Sequence, residues 1–79
     1  MKKLTINVNG SEKTLLDYKK KFITYEQVVR LTGRNPETTL YTVTFYKGYA
    51  PKSEGILTPG QKVRIKKGMV FNAYYTGAA

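Results

Sequence analysis

Only one stretch of this chain carries the marks of a helix, and it is short. Thr24 and Gln27 stand three residues apart in the positions of a capping box, where each side chain takes the other residue's free backbone N–H. Ile23 before the cap and Val28 after it are placed as a hydrophobic staple. Val28, Val29 and Leu31 give the segment one apolar side, Gly33 suits the position just past its end, and Pro36 forbids continuation. A helix over about Tyr25 to Thr32 is too short to stand alone and must be held by tertiary packing.

The rest of the chain alternates with period two. Leu4, Ile6 and Val8 interleave with Lys3, Thr5 and Asn7, the pattern of a half-buried strand. Asn9-Gly10 follows as a type I′ turn signal, which predicts a hairpin with a second strand over roughly Glu12 to Leu16. Asp17 to Phe22, with Lys19-Lys20-Lys21 inside it, reads as a solvated connection. Leu40 to Tyr46 is a third strand with Tyr41, Val43 and Phe45 on one face. After a loop over 47–55 and a short apolar step at Ile56-Leu57, Thr58-Pro59-Gly60 turns the chain. Gln61 to Lys66 is a fourth strand with Val63 and Ile65 inward, and Met69 to Tyr75 is the last, with Met69, Phe71, Ala73 and Tyr75 on one face. The expectation is an α+β domain of order ββαβββ, with one helix packed across a mixed sheet. It is a β-grasp if the first and last strands are central, parallel neighbours. Val8, Val28, Leu31, Val43, Phe45, Ile65 and Phe71 are the expected core.

Length and composition bound the function. Seventy-nine residues make one domain, expected over 1–79 with 76–79 as a flexible tail. There is no Cys and no His, which removes thiol nucleophiles, imidazole bases, disulfides and zinc sites of Cys/His type. The acidic residues Glu12, Asp17, Glu26, Glu37 and Glu54 fall on separate elements and pair into no acid–base site. No enzyme, metal or cofactor is expected. Met1-Lys2-Lys3 is followed by alternation and not by an apolar run, so no signal peptide is expected. The absence of cysteine points to a reducing, cytoplasmic setting, and no stretch approaches a membrane span.

Fourteen basic residues against five acidic ones give a formal charge of +9, which attracts acidic partners over long range. Lys62, Arg64 and Lys66 alternate with Val63 and Ile65, so a strand would carry them as a basic stripe on its outer face. Lys19, Lys20 and Lys21 form a second basic cluster, open to three readings: an acidic-partner site, chain-linking acceptors or a solvated loop. Tyr46, Tyr49, Tyr74 and Tyr75 either stack bases beside that basic surface or sit as half-buried strand tyrosines. No recognised nucleic-acid motif accompanies them. Lys62, Arg64, Lys66 and Tyr74 are the candidate partner-binding residues.

These elements together resemble the ubiquitin-like superfamily, and more closely the bacterial ubiquitin-like modifiers of the multiubiquitin type. The resemblance runs through Ile6-Asn7-Val8-Asn9-Gly10, the helix Ile23 to Leu31, the strand Tyr41 to Tyr46, Leu57-Thr58-Pro59-Gly60-Gln61-Lys62-Val63 and Lys67 to Asn72. It implies a modifier whose C-terminal glycine carboxylate is adenylated, passed to a partner thiol and joined to a target amine. It also implies an activating enzyme, a conjugating enzyme and a JAB-type peptidase as partners, often in antiphage defence. Modifiers of this kind commonly end in Gly-Gly, whereas this chain reads Thr76-Gly77-Ala78-Ala79. The resemblance therefore implies conjugation through Gly77 after removal of Ala78 and Ala79. The rival expectations are a non-conjugated adaptor for an acidic protein and a basic nucleic-acid-binding module.

Overall fold

Asn9 and Gly10 turn the chain as their sequence predicts, at φ of 53° and 81°. They join β1 (Lys3–Val8) to β2 (Ser11–Leu16) in antiparallel register, from Lys3 opposite Leu16 to Val8 opposite Ser11. The computed structural model describes residues 3–16 and 18–78, with the backbone alone for residue 78. Met1, Lys2, Asp17 and Ala79 lie outside the described residues, so the readings placed on Asp17 and Ala79 have no structural counterpart.

The capping box forms. The Thr24 hydroxyl accepts from Gln27 N at 3.1 Å, and Gln27 Oε1 accepts from Thr24 N at 2.9 Å. Helix α1 (Tyr25–Leu31) follows, with Thr32 as its C-cap. Four further strands come after it: β4 (Thr39–Tyr46), β5 (Gly55–Leu57), β6 (Lys62–Arg64) and β7 (Val70–Ala78); one more, β3 (Phe22–Thr24), precedes it. Among the described residues the main sheet has five strands in the order β2-β1-β7-β4-β5. β1 and β7 are parallel at Asn7–Val70 and Val8–Phe71, and the other neighbours are antiparallel. One helix on a mixed sheet with parallel first and last strands at its centre is an α+β arrangement compatible with the β-grasp.

The order ββαβββ needs correction. β3 and β6 form a separate two-stranded ribbon, with Ile23 opposite Val63. β3 falls partly in what reads as a solvated connection, and three residues are too few to show a period. β6 stops at Arg64, before the expected Lys66, although Ile65 N still donates to Lys21 O at 3.0 Å. β5 pairs with β4 at Val43–Leu57, which turns the apolar step at Ile56-Leu57 into a strand.

The core lies between α1 and the inner face of the sheet. Ile6, Val8, Val28, Val29, Val43, Phe45, Met69 and Phe71 are buried in it. Leu31, expected there, is only partly buried and packs at its margin. Tyr25 is not among the core residues expected from the sequence. It is buried, and its hydroxyl accepts from Tyr41 N at 2.9 Å, which supplies the partner a buried phenol needs. Among the described residues no helix is long and apolar enough to cross a membrane.

Candidate functional site

β7 changes character along its length. Val70 and Phe71 lie between β1 and β4, Asn72 and Ala73 continue along β4, and Phe71 and Ala73 are buried. Asn9 N donates to Phe71 O at 2.9 Å, and there the parallel ladder ends, because Asn9 turns into the hairpin at positive φ. The Asn9 side chain completes the edge in place of the backbone: its Oδ1 accepts from Ala73 N at 2.7 Å and its Nδ2 donates to Ala73 O at 3.2 Å. Beyond that carboxamide β7 has β4 as its one neighbouring strand. Tyr74 and Tyr75 are 60% and 62% exposed.

The residues expected as a tail, 76–79, continue β7 over their described part. Gly77 pairs with Leu40 and Ala78 with Thr39, so the strand runs three residues beyond Tyr75. The register slips between Leu40 and Tyr41, leaving Thr76 as the extra residue of a bulge. Thr76 Oγ1 donates to Leu40 O at 2.9 Å, and Gly77 follows at φ 156°, a backbone state that L side chains rarely adopt. Alternation ends at Tyr75 in the sequence, and a bulge breaks the period by which the remainder would have been read. Tyr75 meets Tyr41 edge-on, with ring centroids 5.9 Å apart, and Tyr74 lies opposite Thr42.

The basic residues form a second constellation. On the β3–β6 ribbon, Lys62 stands opposite Thr24 and Arg64 opposite Phe22. Lys62 Nζ lies 4.8 Å from the Phe22 ring centre, while the Arg64 guanidinium and Lys66 Nζ lie 4.7 and 5.3 Å from that of Tyr49. The Lys19–Lys21 run is tied to the same place. Tyr18 donates its hydroxyl to Phe22 O, four residues on, and the Lys21 carbonyl holds Ile65 N. Lys20 and Lys21 thereby converge with Lys3 and Arg64 on a cleft of about 270 Å³ that Tyr18 and Tyr49 also line. Burial pushes the Tyr18 phenol above its ordinary pKa, against a lowering contribution from its hydrogen bond to Gln27.

Tyr49 reaches this cleft because its loop is drawn in tightly. Gly48 N donates to Ser53 O at 2.8 Å, and a Cβ at Gly48 would stand 3.0 Å from the Met69 terminal methyl. The structure thus joins Lys62, Arg64 and Lys66 to Lys3, Lys20 and Lys21, a union that no spacing in the sequence announces. It does not join them to Tyr74, which belongs to the other sheet. No group of three or more metal-ligating side chains occurs among the described residues.

Comparison with known families finds a match to the one described as Multiubiquitin over residues 4–76. That span runs from the second residue of β1 through most of β7. No curated protein and no solved structure matches the chain.

Proposed function

This chain belongs to the Multiubiquitin family, and from that premise we propose that it is a ubiquitin-like protein modifier joined to target amines through Gly77. The observation that carries the reading is the second half of β7, which leaves the core, keeps one strand neighbour and brings a glycine to the sheet margin. A segment held this way can be peeled from β4 without opening the core, because Ala73 is the last buried side chain of β7 among those described.

The chemistry then belongs to partners, in a bacterial ubiquitination-like pathway of the antiphage type. A JAB-type peptidase hydrolyses the Gly77–Ala78 bond and frees the glycine carboxylate. An activating enzyme joins that carboxylate to the α-phosphate of ATP, releasing pyrophosphate, and a thiol displaces AMP to form a thioester. A conjugating enzyme carries the acyl group on, and a target amine takes it as an amide while the thiol leaves. The chain supplies the acyl group and a surface to hold, and catalyses nothing itself. A slim residue at the reacting end lets it enter a narrow catalytic channel.

The test is charging of the cognate activating enzyme with ATP. The chain ending at Gly77 should form a thioester that reducing thiols release, and the chain ending at Ala79 should do so only after peptidase treatment. Failure of the folded Gly77-terminated chain to charge would overturn the reading. The adaptor alternative draws on the pairing of Gly77 with Leu40, which makes the segment part of the sheet. It predicts that deleting residues 77–79 leaves partner binding unchanged.

A further inference from the structure

We infer that the cleft bounded by Lys3, Lys20, Lys21, Arg64 and Tyr49 is a docking site for an extended acidic peptide segment of a partner protein. The first ground is convergence. Four cations from three separate parts of the chain line one cleft of about 270 Å³, and no carboxylate is among its lining residues that the structure describes. A neighbouring hollow of about 550 Å³ shares Lys20 and Lys21 and adds Phe22 and Lys62. The two together form a track of positive charge longer than a single ion needs. A chain carrying several carboxylates matches it.

The second ground is preorganisation. Long basic side chains normally lose much rotamer freedom on binding, which weakens surface ion pairs. Here Arg64 and Lys66 rest against Tyr49, and Lys62 rests against Phe22. The rings restrict those cations before any partner arrives. A guanidinium has five N–H donors, and a ring contact at its carbon leaves N–H groups for the two-point contact a carboxylate takes. The Lys20–Lys21 backbone is itself fixed by the Tyr18 and Ile65 hydrogen bonds.

The same contacts choose between classes of polyanion. A single-stranded nucleic acid needs open aromatic faces on which bases stack. Tyr49 in the cleft and Phe22 in the neighbouring hollow already carry the protein's own cations, which competes with bases for their exposed faces. An acidic peptide needs only charge and hydrogen-bond donors.

This inference stands whether or not Gly77 is conjugated, and its test uses the unmodified chain. A labelled ten-residue oligoglutamate is titrated at low salt, beside an oligothymidine of equal length. Oligoglutamate should bind, with affinity falling as salt rises. Arg64→Glu and Lys21→Glu should each weaken it about tenfold or more. Tyr49→Ala, which changes no charge, should weaken it several-fold by releasing Arg64 and Lys66. Arg34→Glu and Lys52→Glu, which alter net charge equally at exposed positions outside the cleft, should have much smaller effects. Melting curves establish that each variant is folded. Equal losses from all four reversals would reduce the binding to net charge and overturn the site. Tighter binding of oligothymidine, with Tyr49→Ala acting mainly on it, would reassign the cleft to nucleic acid. Absence of oligoglutamate binding at low salt would also overturn it, leaving the reading of Gly77 untouched.

Discussion

The two halves of β7 obey opposite rules within one continuous strand. Val70 and Phe71 lie between two strands, Ala73 is held by the Asn9 carboxamide and β4, and the alternate side chains Phe71 and Ala73 enter the core. Tyr74 to Ala78 has β4 alone beside it, carries a bulge at Thr76, and exposes its tyrosines. The boundary is one side chain. Asn9 ends the parallel ladder and satisfies the last edge groups at Ala73 with its carboxamide. The contrast teaches that a small domain can extend a core strand outward along a single neighbour, provided something closes the core at the point of exit.

The largest effect should come from the enclosed half. Phe71 is fully buried, so Phe71→Ala should cost about 3–5 kcal/mol through lost burial and the cavity left behind. That is enough to unfold much of a domain this small, read by chemical denaturation. A near-neutral Phe71→Ala would break the comparison at its root, since both halves would then be peripheral.

The boundary should give an intermediate effect. Asn9→Ala removes two hydrogen bonds and places alanine at φ of 53°, for an expected loss of about 1–3 kcal/mol. Amide exchange at Ala73 should accelerate more than at Val43 across the sheet. Uniform acceleration would mean that Asn9 supports the whole hairpin and does not specifically close β7.

The outer half should give the smallest change. Thr76→Val keeps the branched shape and removes the hydroxyl bond to Leu40 O, worth about 0.5–1.5 kcal/mol at most. Because the segment opens locally, the change should appear as faster exchange at Gly77 with melting almost unmoved. A clear drop in global stability would show that the outer half is part of the cooperative unit, which favours the adaptor reading.

Local chemistry made much of this fold legible. The Asn9-Gly10 turn, the Thr24–Gln27 box and the alternation through Leu40 to Tyr46 each act within a few residues, so each could be read from order alone. What stayed hidden depends on partners distant in sequence. The Phe22–Thr24 strand exists because Lys62–Arg64 pairs with it, and Tyr25 is buried because Tyr41 N offers its hydroxyl a bond. The candidate sites divide in the same way. Gly77 was singled out by the family resemblance, and the alternation of Lys62 and Arg64 was visible in the order of residues. The joining of Lys3, Lys20 and Lys21 to Arg64 around Tyr49 was not, because it is made by folding. Lys66 lies beyond the strand that was to carry it, and its place is set by Tyr49.

The most direct test of the outer half of β7 as a conjugation handle is the intact mass of the protein recovered from its native cells. The account predicts loss of Ala78 and Ala79 from the free form. It also predicts a set of heavier species in which Gly77 is joined by an amide to a lysine or terminal amine of another protein. Tryptic fragments should place that bond at Gly77. Recovery of only the free chain, still carrying both alanines while the pathway's enzymes are present and active, would contradict it.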